Sequence, residues 1–322
     1  MQLSLKGNKK LSLRDGLVNN AAILMCVLLF FYNAIFSANF LRLITIWNLL
    51  AQTTALMFAT MGMTMIISCG CTDLSVGATM AMASSICGTM MRDGVDTGLA
   101  FLIAMAVCVG IGLINGALVA RFHIQPMVAM LVSRMAWRAV ASIYTKGVTQ
   151  TIQAEGIVKL IAQTRITSLR IPVIILPMLL VILLTVFIVR KTRLGREIEA
   201  VGNNQRTAYL CGISVAKTIM VTYVLSACFA GLGGILEMFR NSSMDSNTVG
   251  LDYEMFAIAA ATIGGTSMRG GKARIWGSVF GAILMTLITM TVNYANITYE
   301  MANVFKAIVI IFALAMQSVR KV

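Results

Sequence analysis

Residues 171–189 read IPVIILPMLLVILLTVFIV and hold no charged side chain. A helix crossing the hydrocarbon core of a bilayer needs about 20 mostly apolar residues. This stretch has that length, and charge gathers directly after it at Arg190, Lys191 and Arg193. Working outward, similar stretches precede it at 17–36, 43–70, 74–91, 99–120 and 124–144. Others follow at 218–238, 255–266, 275–294 and 301–318, giving ten segments. The eighth, 255–266, is too short to cross as a regular helix and reads as re-entrant. The Gly-rich run over 43–91 predicts a break near Gly70. The first segment has no small-residue cleavage site after it and reads as an anchor rather than a removed signal peptide.

Composition agrees. Of 322 residues, 58% are hydrophobic and 12% charged, against about 25% charged in a soluble domain. Such a chain cannot cover a globular surface with polar groups, and it is too apolar for disorder. Three prolines and 26 glycines suit helices with local breaks better than a barrel of alternating strands. The net charge is +14, which in a soluble chain would suggest nucleic acid. Here the charge is distributed by side. With a cytoplasmic amino terminus and ten crossings, one side holds 16 basic residues against Asp15, Glu197 and Glu199. The other side holds seven basic and seven acidic residues. Basic excess marks the cytoplasmic face, so both termini are expected inside.

Within segments the chain keeps Asp73, Arg134, Arg138, Glu237 and Lys306. Ionisable groups at such positions face protein or a water-filled path. Asp73 precedes Leu74, Ser75 and Gly77 after a Gly-containing turn. It has two readings: a cap on the next helix, where a negative charge offsets the dipole, or a group on a transport path. Arg134 and Arg138 share one helical face at i, i+4 and would either lie nearer the outer interface or pair with Asp73 or Glu237. The loop at 190–217 carries a helix-forming run ending at Gly202-Asn203-Asn204, either a solvated face or a helix docking a partner. The run from Gly264 to Ala273 lacks the spacing of a phosphate loop and reads as a tight turn. Gly112-x-x-x-Gly116 and Gly277-x-x-x-Gly281 permit close helix approach, within the chain or between two copies. Seven cysteines without a second paired motif read as packing residues. One histidine offers little for metal or triad chemistry, so neither catalytic nor metal-binding residues are assigned.

These motifs, in order, resemble the permease subunits of bacterial ABC importers for simple sugars of the ribose, xylose and galactose group. The likeness spans about residues 48–319. It rests on Asp73-Leu74-Ser75-Val76-Gly77, Arg193-Leu194-Gly195-Arg196, Ala200-x-Gly202 and Gly212-Ile213. Tyr253-Glu254, Ala257-Ile258-Ala259-Ala260, Gly264-Gly265-Thr266-Ser267 and Gly270-Gly271 complete it. The resemblance implies one permease domain over 1–322. Its fold would be all-α, with about ten transmembrane helices in an inverted repeat like the vitamin-B12-type (type II) importers. It implies a second permease subunit, identical or related, a separate cytoplasmic ABC ATPase using ATP and Mg, and an extracytoplasmic sugar-binding protein. It places the chain in the bacterial inner membrane. The inner loop, with Leu194, Gly195, Arg196, Glu197, Ala200, Gly202, Asn203 and Asn204, would couple to the ATPase. Asp73, Leu74, Ser75, Gly77, Tyr253, Glu254, Gly264, Gly265 and Thr266 would shape or gate the sugar path. The family usually has an acid just after its Tyr-Glu-Leu, where this chain has Met255-Phe256. That departure leaves open the sugar and whether two identical chains pair. The rival reading is a secondary transporter driven by an ion gradient, for which only Asp73 and Glu237 are candidate intramembrane acids.

Overall fold

The computed structural model describes residues 21–37, 40–152, 156–162, 164–166 and 170–294, with isolated positions between 301 and 311. Among the described residues it has twelve helices and four two-residue strands. The helices are α1 (Ala21–Phe36), α2 (Leu43–Ser68), α3 (Val76–Arg92), α4 (Thr97–Ala120), α5 (Pro126–Thr145) and α6 (Gly156–Ala162). They continue as α7 (Ile175–Lys191), α8 (Arg193–Asn203), α9 (Gln205–Leu210), α10 (Val215–Asn241), α11 (Tyr253–Ile263) and α12 (Ile275–Tyr294). The strands β1 (Gln150–Thr151) and β4 (Ser243–Met244) pair antiparallel, as do β2 (Arg165–Ile166) and β3 (Ile171–Pro172).

α2, α4, α10 and α12 are long and apolar enough to cross a membrane. α7 has 17 residues, charged only at its final Arg190 and Lys191, and is about 26 Å long at 1.5 Å per residue. The chain then bends by 72° into α8. The protein is therefore a multi-pass helical membrane protein. The ten-segment count is met only in part, for physical reasons. α5 carries two arginines, α11 has 11 residues, and α3 starts inside the bundle. Most of 301–318, including Lys306, lies outside the described residues.

Burial explains the layering. α2 is buried around its circumference from Thr53 to Ser68, as expected of a helix with no polar face. α10 is its central partner. α4 buries a stripe of small residues, Ala100, Ala104, Cys108, Gly112 and Gly116, while Leu99, Leu102, Leu113 and Ile114 stay exposed. A Cβ on Gly112 would sit 2.6 Å from Val224 Cα, and one on Gly116 2.8 Å from Met220 Cα. Gly277 and Gly281 meet Gly264 and Ala260 of the α11 segment in the same way. Both glycine pairs thus serve packing within the chain.

The break predicted near Gly70 is a helix stop. Gly70 has φ +79; its N–H donates to Ile67 O, and Cys71 N–H donates to Ile66 O. That is a Schellman closure, which favours glycine at the left-handed position. α3 then starts part-way along α10. Tyr223 Oη donates to Thr72 O at 2.8 Å, Gly234 lies against Met80, and Gly88 lies near Met238. α3 therefore runs in the direction of α10. α11 runs the other way. Its first turn meets Glu237, near the end of α10, at 3.2 Å, and its last turn reaches the start of α12. The triplets α2–α3–α4 and α10–α11–α12 each comprise a long helix, a break, a shorter helix and a long helix. α10 packs on α2, α3 and α4, while α2 packs on α10, α11 and α12. Exchanging the triplets leaves these neighbours unchanged.

Gly234 tests this packing against Gly110. A Cβ on Gly234 would meet Met80 O and Cα, whereas one on Gly110 meets nothing within 4 Å. In thermal unfolding of the purified chain, Gly234→Ala should lose about 1–3 kcal/mol. Gly110→Ala should be neutral or gain up to about 1 kcal/mol from helix propensity. Equal behaviour of the two variants would contradict the close α3–α10 approach.

Candidate translocation site

α3 and α11 both begin within the bundle, and their first turns lie side by side. A Cβ on Gly77 would meet Gly250 O and Glu254 Oε2, so only glycine allows this approach. Two polar assemblies surround the junction.

The first is a buried relay around Asp73. Asp73 Oδ1 accepts from Ser75 N at 2.9 Å and from Ser75 Oγ at 2.6 Å. Ser226 Oγ of α10 donates to Asp73 Oδ2 at 3.3 Å. Asn115 Nδ2 of α4 donates to Ser75 Oγ at 2.8 Å, and Ser133 Oγ of α5 donates to Asn115 Oδ1 at 2.6 Å. All five residues are buried. The relay thus ties four helices, α3, α4, α5 and α10, through one carboxylate at the entry to α3.

The second assembly is built on the two arginines of α5. Arg138 donates to the carbonyls of Ser246, Asn247, Gly77, Val249 and Gly250 at 2.9–3.3 Å. Those carbonyls belong to the first turn of α3 and to the non-helical segment leading into α11. One planar guanidinium with several fixed donors suits such a fan of acceptors. One turn away, Arg134 Nη2 lies 2.8 Å from Glu254 Oε1 and 3.6 Å from Asp252 Oδ1. Glu254 is fully buried, and neither of its oxygens receives a well-directed hydrogen bond among the described residues. Arg134 and Asp252 are partly open, at 27% and 31% side-chain exposure. Leu251 and Met255 are exposed beside them. Arg134 is the ninth of 20 residues in α5, so this opening lies near the middle of that helix.

At the end of the bundle where α2 stops, α8 lies across the helices. Thr192 caps it, its Oγ1 accepting from Gly195 N at 3.3 Å. Gly195, Ile198 and Val201 are buried, while Arg193, Arg196, Asn203 and Asn204 are exposed. Gly202 faces Ser68 O and Gly271 N with no room for a Cβ. Gly271 N–H donates to Ser68 O at 2.9 Å, and Ala273 N–H to Glu199 Oε1 at 3.1 Å. The loop after α11 and the end of α2 therefore both rest on α8.

A family model described as "Branched-chain amino acid transport system / permease component" matches residues 45–314. The chain belongs to this permease family. It is 35% identical to the fructose import permease of Bifidobacterium longum over 266 residues, 82% of this chain and 74% of that protein. It is 33% identical to the ribose import permease of Escherichia coli over 278 residues, 86% of each chain. It is 36% identical to the galactofuranose transporter permease of Escherichia coli over 273 residues, 85% of this chain and 79% of that protein. No solved structure matches the chain.

The permease divides its sequence-predicted residues by position. Asp73, Leu74, Ser75 and Gly77 form the buried entry to α3. Tyr253 and Glu254 form the first turn of α11, and Tyr253 Oη donates to Glu237 Oε1. Gly264, Gly265 and Thr266 lie at the other end of α11, where Arg274 N–H donates to Thr266 Oγ1 at 3.2 Å. The proposed path set is thus split between the two ends of α11. Among the inner-loop residues, Gly195 is buried and Leu194, Glu197, Ala200 and Gly202 are partly covered. Arg196, Asn203 and Asn204 face outward. The expected partners of the arginines need correction. Arg134 pairs with Glu254 and Asp252, and Arg138 with backbone carbonyls, rather than with Asp73 or Glu237. Asp73 instead takes hydroxyl partners. Sequence reasoning missed Asn115, Ser133 and Ser226. Their signal was a polar side chain within an apolar segment, clearest for Asn115.

The Arg134–Glu254 pair makes a measurable statement. Removing one partner of a buried ion pair strands the other, at a cost of about 3–5 kcal/mol. Arg134→Gln should approach that loss in unfolding of the purified permease. Adding Glu254→Gln should recover part of it, giving a coupling energy above about 0.5 kcal/mol in a double-mutant cycle. Strict additivity would mean that the two side chains do not interact.

Proposed function

We propose that this chain is the permease subunit of an ATP-driven importer for a monosaccharide or related small polar solute. It would reside in the bacterial inner membrane with both termini cytoplasmic. The relatives named for fructose, ribose and galactofuranose transport support the sugar class. The neighbour pattern of the two helix triplets and the opposite directions of α3 and α11 support an inverted repeat. Transport sites favour the place where interrupted helices of two such repeats meet, as in the type II importer fold with about ten helices.

The observation that carries the path assignment is the partial exposure of Arg134 and Asp252 near the middle of α5. Charged groups there cannot face lipid without a large cost. The face they share with Leu251 and Met255 therefore turns toward a water-filled path shared with a second permease subunit. Solute passes along that face by alternating access. A cytoplasmic ATPase, using ATP and Mg, drives the change through the exposed side of α8. A binding protein delivers sugar at the opposite end.

Two measurements test this reading. Uptake into vesicles should require the ATPase, the binding protein and ATP, and should survive collapse of proton and sodium gradients. Uptake by the chain alone, or its loss with the gradients, would overturn the mechanism. Met255→Cys, with Cys211→Ser and Cys228→Ser removing the two native thiols that are not buried, should react with a hydrophilic maleimide in the assembled importer. Leu180→Cys, exposed on the stretch of α7 before its terminal Arg190 and Lys191, should resist it because the group faces lipid. Protection of both positions would remove the water-filled path from this face.

A further inference from the structure

A cleft of about 270 Å³ lies where the first turn of α1, the end of α7 and the first turn of α12 come together. Arg190, Lys272 and Arg274 line it, and none of its lining residues is acidic. Among the described residues, no carboxylate lies within ion-pairing distance of any of the three. Glu199 accepts from the backbone of Ala273 instead. Three cations lining one open cleft place like charge together, and a bound anion would offset it. We propose that this cleft holds the phosphate headgroup of an anionic phospholipid.

Two features favour a lipid over a free anion. Trp276 lines the cleft and is 52% exposed, as suits an indole at headgroup depth. Ile23 also lines the cleft and begins an exposed apolar row with Val27, Phe31 and Ile35 on α1. Spacing of four residues puts this row on one helical stripe, a track for an acyl chain leading away from the three cations. Basic pockets between helices at the cytoplasmic surface suit acidic headgroups. The bound lipid would bridge α1, α7 and α12 beside the loop that rests on α8. The inference rests on the membrane-spanning reading with this end cytoplasmic, so it stands or falls separately from sugar transport.

The purified full chain, stripped of lipid, is titrated with phosphatidylglycerol, phosphatidylcholine or inorganic phosphate and followed by native mass spectrometry and thermal unfolding. Phosphatidylglycerol should bind in preference to phosphatidylcholine and raise the unfolding midpoint. A basic residue near an anionic lipid is worth about fivefold in affinity. Arg190→Gln alone should therefore lose about that factor, and the variant with Lys272→Gln and Arg274→Gln added roughly a hundredfold. Arg121→Gln and Arg269→Gln, exposed cations outside the cleft, should change binding less than twofold. Equal binding of the two lipids, or wild-type binding by both Arg190→Gln and the triple variant, would overturn the proposal. Displacement of the lipid by inorganic phosphate at equal concentration would do so too, marking a site for a soluble anion.

Discussion

Two helices that start inside an apolar bundle leave backbone groups where no water reaches them. Each unmet group costs several kcal/mol in hydrocarbon, so the fold depends on what replaces the water. For the entry to α3 the replacement is Asp73, which accepts from the Ser75 amide and two hydroxyls. For the segment before α11 it is Arg138, whose guanidinium reaches four of its carbonyls and Gly77 O as well. Arg138 is thus bound to both interrupted elements at once.

This arrangement requires backbones closer than ordinary side chains allow. Gly77, Gly112, Gly234, Gly264 and Gly277 each face backbone of a neighbouring element at a distance that excludes a Cβ. The helices gain little from apolar burial, because lipid is as apolar as their side chains. Close van der Waals contact and internal hydrogen bonds have to hold them together. The same reasoning explains why α4 buries its small residues and leaves its leucines outward.

Much of the frame was legible in the sequence. Periodicity and charge gave the membrane class. Glycines marked the end of α2, and the short eighth segment appears as α11. The pairing at the centre was not legible. Arg134 and its partners stand more than 110 residues apart; the resemblance places Glu254 on the path with no partner named, and Asp252 counts only as an outer-side charge. Nothing local distinguishes an acid in a loop from one drawn into the bundle by a non-helical return. On α8 the sequence set out one block of coupling residues. Its three-residue spacing of Gly195, Ile198 and Val201 divides that block into a face against the bundle and a face toward solvent.

The two central assemblies differ in a way that bears on movement. The Asp73 relay is buried throughout, each member serves another, and opening it would give up hydrogen bonds the carboxylate already has. It suits a joint that stays closed. The Arg134 cluster is built otherwise. Glu254 has an opposite charge beside it but no well-directed hydrogen bond, and Arg134 already touches the surface through its contact with Asp252. Wetting that face would give Glu254 partners it lacks in the closed bundle. The energetic resistance to separation is therefore lower on the α5–α11 side of the junction than on the α3–α10 side. Since α11 leads directly into the loop that rests on α8, a displacement of α8 would reach the Arg134 face through α11, while the relay holds α3 in place.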